Sequence, residues 1–115
     1  MASILLVEDE SLIRMMVEDM LTELGHKVVA EAGDLTSGLI FAADGNDFDL
    51  AILDVQLGRD SSKPIAEALE TRKIPFAFAS GYGADGLPDG FHGRPFLMKP
   101  FKLDELQRCI GKLLG

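Results

Sequence analysis

Phe48-Asp49-Leu50-Ala51-Ile52-Leu53-Asp54 is the stretch on which the fold turns. Leu50 to Leu53 are continuously apolar, with no helical spacing. A run this short reads as a strand buried on both faces. It ends in a carboxylate, Asp54, and the polar loop Gln56-Leu57-Gly58-Arg59-Asp60 follows. An acid at that place is held rigidly at the C-terminal mouth of a central strand, where open α/β sheets bind ligands. Alone, such an Asp reads first as a turn former that caps the next loop. Its meaning depends on what gathers beside it.

Upstream, Ile4-Leu5-Leu6-Val7 is a second doubly buried strand, ending in Glu8-Asp9-Glu10. From Glu10 to Leu24 the period becomes helical. Ile13, Met16, Val17, Met20, Leu21 and Leu24 recur at three- and four-residue spacing, and Gly25 is a good stop. The methionines of this stripe read as core filling. Lys27 to Glu31 is a short strand, and Asp34 is the N-cap of a helix reaching about Ala43. Gly45-Asn46-Asp47 turns the chain into the central strand.

Downstream, a helix is expected from about Lys63 to Thr71, with Pro64 in its first turn. Ile74 to Ala79 is the fourth strand, closed by Ser80. Arg94 to Met98 is the fifth, closed by Lys99-Pro100. Leu103, Leu106, Ile110, Leu113 and Leu114 mark a last amphipathic helix whose Leu106, Ile110 and Leu113 pack on the sheet. Strands alternating with helices imply a parallel sheet with right-handed crossovers. Gly81 to Gly93 breaks the rhythm, with five glycines and Pro88 where a fourth helix belongs. Helix propensity there is poor, so a mobile loop or a short, frayed helix is expected.

The chain has 115 residues, 47% hydrophobic and 26% charged. That is one domain, residues 1–115, able to bury roughly two-thirds of its unfolded surface. A net charge of −8 argues against a nucleic-acid face, which needs a basic patch. The single cysteine, Cys109, excludes an internal disulfide and reads as a buried thiol in a reducing compartment. No apolar run approaches a membrane span, and the N-terminus lacks the charged start of a signal peptide. A cytoplasmic protein with no membrane contact is expected. His26 and His92 have no Cys or His partner at metal-ligand spacing and read as surface or turn residues.

Two patterns test other chemistry. Gly81-Tyr82-Gly83-Ala84-Asp85-Gly86 spells the dinucleotide-binding pattern. That fingerprint needs a helix to follow and an acid at the end of the next strand, where Lys99 stands. A phosphohydrolase of the haloacid-dehalogenase type needs a second Asp two residues after the first, where Gln56 stands.

The strand ends decide more. They bring Glu8, Asp9, Asp54, Ser80 and Lys99 to one edge of the expected sheet. Three carboxylates packed together repel unless a cation joins them, and an oxygen-only set with room for water suits Mg²⁺. A lysine and a hydroxyl beside them suit a tetrahedral anion. Nucleophilic carboxylate, hard cation, ammonium and hydroxyl together make a phosphoryl-transfer site.

Ile4-Leu5-Leu6-Val7-Glu8-Asp9, Leu53-Asp54, Ala79-Ser80-Gly81 and Lys99-Pro100-Phe101 together resemble the receiver domains of bacterial two-component response regulators, over the whole chain. The resemblance implies a flavodoxin-like α/β fold, a five-stranded parallel sheet of order 2-1-3-4-5 with flanking helices. It implies Asp54 as phosphoacceptor, and Asp9 and Asp54 as direct Mg²⁺ ligands. Glu8 would act through water, and Gln56 through its backbone carbonyl. Ser80 and Lys99 would bind phosphoryl oxygens, and Phe96 would occupy the aromatic switch position. It also implies a cis Lys99-Pro100 bond. The protein would then be no enzyme beyond its own phosphorylation and dephosphorylation. Its partner would be a sensor histidine kinase or histidine phosphotransferase, with a target protein downstream, and the protein would be a monomer or weak homodimer. Without an output domain after Gly115, signalling by protein contact is expected; the alternative is a phosphate shuttle or sink in a phosphorelay.

The sequence departs from the common receiver pattern in places. Leu57-Gly58-Arg59 stands where a proline is usual, and Phe96 lacks the hydroxyl of the Tyr often found there. Phe78-Ala79-Ser80-Gly81-Tyr82 is similar to an atypical subgroup with a Phe-Ala-Thr-Gly-aromatic signature, frequent in alphaproteobacterial signalling. By that resemblance Tyr82 flanks the phosphoryl group and slows its hydrolysis.

Overall fold

The computed structural model describes residues 1–43 and 47–115. Five strands form one sheet: β1 (Ser3–Val7), β2 (Lys27–Ala32), β3 (Leu50–Asp54), β4 (Phe76–Ser80) and β5 (Phe96–Met98). All neighbours are parallel. The order is β2-β1-β3-β4-β5, so the chain reverses direction across the sheet between β1 and β3. The described residues hold four α-helices: α1 (Ser11–Glu23), α2 (Leu35–Ala43), α3 (Lys63–Thr71) and α4 (Leu103–Leu114). None is long and apolar enough to cross a membrane.

The continuous apolar runs are explained by a core on each face. Side chains alternate along a strand. Leu5 and Val7 of β1, Ala51 and Leu53 of β3, and Phe76 and Phe78 of β4 face Ile65 and Leu69 of α3. Ile4 and Leu6, Leu50 and Ile52, and Ala77 face Val17 and Leu21 of α1 and Leu106, Cys109 and Ile110 of α4. Close approach fixes Gly38 in α2, where a Cβ would meet Ile65 Cδ1 at 2.4 Å.

The helix ends follow their sequence signals. Asp34 Oδ1 accepts the Ser37 N–H at 2.7 Å, and this bond holds the Asp34 carboxyl below its ordinary pKa. Gly25 takes φ +87° and ends α1, with the N–H groups of Gly25 and His26 donating to Thr22 and Leu21. Pro64 lies in the first turn of α3. Arg72 donates to the last carbonyls of α2, at 2.8 Å to Ala42, and stacks over the Phe48 ring. The turn expected at Gly45-Asn46-Asp47 lies mostly outside the described residues.

Three expectations change. Met16 is 57% exposed rather than core, because only one stripe of α1 meets the sheet; Met20 does pack there. Strands β4 and β5 each begin two residues later than their apolar patterns suggest, since pairing rather than hydrophobicity sets their start. The glycine-rich segment carries a single 3-10 turn at Gly83–Gly86, but its second half is anchored rather than free. Leu87 and Phe91 are buried, and Phe91 packs edge-on against Phe78 with ring centroids 5.7 Å apart. Arg94 lies over the Phe76 and Phe91 rings and pairs with Glu70. No α-helix follows the Gly81–Gly86 pattern before β5, which removes the structural context a dinucleotide fingerprint requires.

Candidate functional site

The C-terminal ends of β1, β3, β4 and β5 open into a cleft of about 510 Å³. Asp9, Asp54, Gln56, Ser80, Tyr82 and Lys99 line it. Asp54 terminates the fully buried part of β3 and is itself 12% exposed. Glu8 follows β1 and is 3% exposed. Lys99, at the end of β5, reaches across the sheet to both. Its Nζ donates to Glu8 Oε1 at 2.8 Å and lies 3.1 Å from Asp54 Oδ1. The Lys99-Pro100 peptide is cis.

Three carboxylates and one ammonium leave a net negative site. Carboxylate oxygens of Glu8, Asp9 and Asp54 lie within 4.8 Å of one another. Burial, then the Glu8 charge, push the Asp54 carboxyl up to about 7 against the opposing pull of Lys99. Burial by itself would lower Lys99, but its hydrogen bond to Glu8 and the charges of Asp54 and Glu8 outweigh that and hold the ammonium above its ordinary pKa. Burial likewise works to raise Asp9; the Gly58 N–H and the hydrogen bonds it shares with Glu8 and Asp54 hold it below. The residual charge at Asp54 is what a hard cation with oxygen ligands would relieve, so the donor set fits Mg²⁺.

The loop after β3 was less legible. Gln56–Leu57 pairs antiparallel with Asp60–Ser61, and Gly58 at φ +62° supplies the turn between them. This ribbon stands in place of the proline-bearing loop. It buries Leu57 and lends the Gly58 N–H to Asp9 Oδ2 at 2.9 Å. The signal was present in Leu57-Gly58-Arg59-Asp60, a glycine at the first central position of a two-residue turn. Gln56 lines the cleft, and its side-chain amide donates to the Gly58 carbonyl.

Ser80 is buried at the cleft wall, but its hydroxyl is engaged in a local turn. It accepts the Tyr82 N–H at 3.1 Å and donates to the Gly83 carbonyl at 3.2 Å. A Cβ on Gly86 would lie 2.7 Å from Ser80 Oγ, so glycine is required for this arrangement. Tyr82 is 86% exposed over the cleft. Phe96 is half-buried, paired with Phe78 and packed on the α3-side core. His26 and His92 lie apart from the cleft; His26 Nδ1 accepts the Ala2 N–H, and His92 Nε2 donates to the Leu87 carbonyl.

Residues 4–111 match the response regulator receiver domain. The chain belongs to the response regulator receiver family. This receiver is 43% identical to SdrG from Sphingomonas melonis Fr1, whose solution structure superposes with a TM-score of 0.86 over 100% of this chain and 98% of that one. It is 31% identical over 111 residues to the transcriptional regulatory protein PdtaR of Mycobacterium tuberculosis, covering 93% of this chain and 54% of PdtaR. The receiver thus spans about half the length of that relative. The receiver domain of sensor histidine kinase PA1611 from Pseudomonas aeruginosa, crystallised with a magnesium ion in its active-site cleft, is 25% identical with a TM-score of 0.82, over 99% of this chain and 98% of that one.

Proposed function

We propose that this receiver accepts a phosphoryl group from a histidine kinase onto Asp54, in a Mg²⁺-dependent step, and signals by protein contact. The observation that carries the reading is the position of Asp54. A largely buried carboxylate at the mouth of the central strand has an ammonium 3.1 Å away and two further carboxylates within 4.8 Å. Glu8, Asp9, Asp54 and the Gln56 backbone carbonyl would hold the cation, which supplies neutralisation of the phosphoryl oxygens.

In the transfer, an Asp54 carboxylate oxygen bonds to phosphorus as the P–N bond of a phosphohistidine breaks. The histidine nitrogen keeps the electron pair, and an acyl phosphate forms on Asp54. The Lys99 ammonium shifts from the carboxylate to the new phosphoryl oxygens as a point charge. Ser80 must give up its bonds to Tyr82 and Gly83 before its hydroxyl can donate to the phosphoryl group. Those two bonds hold the turn at Gly81–Gly83, so recruiting Ser80 reorders the start of the glycine-rich segment and opens space towards Phe96. Phosphorylation then shifts a population between two states of this segment, because it favours only one of them.

Intact-protein mass spectrometry after incubation with acetyl phosphate tests the reading. A phosphoryl adduct that needs both Mg²⁺ and Asp54 is expected, with none in Asp54→Ala. An adduct that persists in Asp54→Ala would show that another residue is the acceptor.

A further inference from the structure

Glu8 and Asp9 sit on the turn where β1 leaves the sheet, and the geometry of that turn decides where both carboxylates point. One side chain from outside the cleft grips it. Arg14, in the first turns of α1, donates from Nη1 to the Glu8 carbonyl at 2.7 Å. Its Nε lies 3.4 Å from Glu31 Oε1 on β2. The guanidinium occupies a slot that exists only because residue 33 has no side chain. A Cβ on Gly33 would stand 2.8 Å from Arg14 Nη1 and 3.8 Å from the Glu8 carbonyl oxygen. The Glu8 N–H is also bound, to the Ala32 carbonyl at 3.0 Å. Glu8 is therefore held from both backbone sides, by the end of β2 and by Arg14. Its side chain is left to meet Lys99 and, through Oε2, the Glu10 N–H at 3.1 Å.

We infer that Arg14 is a positioning residue for the acidic site, acting through the Glu8 backbone, and that Gly33 is its seat. The inference rests on reading Glu8, Asp9 and Asp54 as the Mg²⁺ site. Arg14 bonds to the Glu8 carbonyl and to Glu31, not to the three carboxylate groups themselves. It fixes the peptide between Glu8 and Asp9 by a charge-assisted bond, which is shorter and stronger than a neutral one. A planar guanidinium is suited to this place because it can donate to a carbonyl and a carboxylate at once, whereas an ammonium is a point charge on a more flexible stem. Groups that orient metal ligands without touching the metal typically account for about 10- to 100-fold in affinity.

Two substitutions separate positioning from simple support of the fold. Arg14→Ala removes the grip. Gly33→Ala leaves Arg14 and every charge in place but fills its seat. Gly33 has no positive φ, so alanine is conformationally acceptable there, and the atom it displaces is the far end of a flexible side chain. Gly33→Ala should therefore melt within about 3 °C of the unsubstituted protein, a shift of less than about 1 kcal/mol for a domain of this size. It should nevertheless bind Mg²⁺ more weakly. Titrating the full chain with MgCl₂, read by calorimetry and by the amide shifts of Glu8, Asp9 and Gly58, should show affinity lower by about tenfold in both variants. Arg14→Lys should recover part of it. Equal Mg²⁺ affinity in a folded Gly33→Ala and the unsubstituted protein would overturn the inference while leaving the metal site intact. No saturable binding by the unsubstituted protein would overturn both.

Discussion

Replacing Asp54 with asparagine should stabilise the metal-free protein, and the gain should depend on pH. In the fold, burial and the Glu8 charge raise the Asp54 carboxyl from 3.8 to about 7. That is roughly a thousandfold in proton affinity, a ceiling of about 4 kcal/mol against the ionised form. Water at the cleft mouth and relaxation of Lys99 screen part of it, so we expect about 1–2 kcal/mol. The sign follows from proton linkage. Between pH 4 and 7 the unfolded chain has lost this proton while the fold keeps it, so native stability falls as pH rises through that window and levels off above 7. Asparagine does not ionise and escapes the penalty, and Lys99 retains its 2.8 Å bond to Glu8. Thermal unfolding in EDTA at pH 8 should show Asp54→Asn melting about 4–8 °C higher. At pH 5 the gain should be smaller than at pH 8. Adding Mg²⁺ should narrow the gap, since it relieves the repulsion in the unsubstituted protein. A variant less stable at pH 8, or a gain equal at pH 5 and pH 8, would refute the reasoning.

The anchoring of the glycine-rich segment and the shielding of the acceptor are testable too. Arg94→Ala removes the ion pair to Glu70 and the stacking on Phe76 and Phe91. It should lower stability by about 1–2 kcal/mol, and amide exchange at Leu87 to Phe91 should accelerate more than in β3; uniform acceleration would contradict a local clamp. Tyr82→Ala should shorten the lifetime of the acyl phosphate severalfold, followed as loss of the phosphoryl adduct by mass spectrometry, because Tyr82 lines the cleft beside Asp54. Slower decay in the variant would show that the ring does not shield.

Strands and site were legible for the same reason. β1, β3 and β4 are buried on both faces, so each leaves an unbroken apolar run ending in a polar residue. Those end residues, Glu8, Asp54, Ser80 and then Lys99, are the site. What the sequence hid depends on contacts between distant segments. Met16 carries the right period yet faces outward, since periodicity gives a stripe but not its width. The Gln56–Ser61 ribbon is too short to leave an alternating strand pattern, and only the glycine of its turn, Gly58, signals it. The direction of the Ser80 hydroxyl follows from the carbonyl of Gly83 and the missing side chain of Gly86, which no spacing rule encodes. Poor helix propensity correctly removed a fourth helix from 81–93, but it said nothing of Phe91 returning to the core.

That return has a consequence for time rather than for energy. Leu87 and Phe91 fasten the far half of the segment to the α3-side core, so a rearrangement around Ser80 would be confined to the stretch from Gly81 to Gly86. Loops of this length relax in nanoseconds to microseconds, whereas sliding a packed helix takes microseconds to milliseconds. If Asp54 accepts a phosphoryl group as proposed, a receiver with an anchored loop in place of a docked fourth helix should answer it quickly, so that the chemistry, not the conformational change, would set the tempo of the signal.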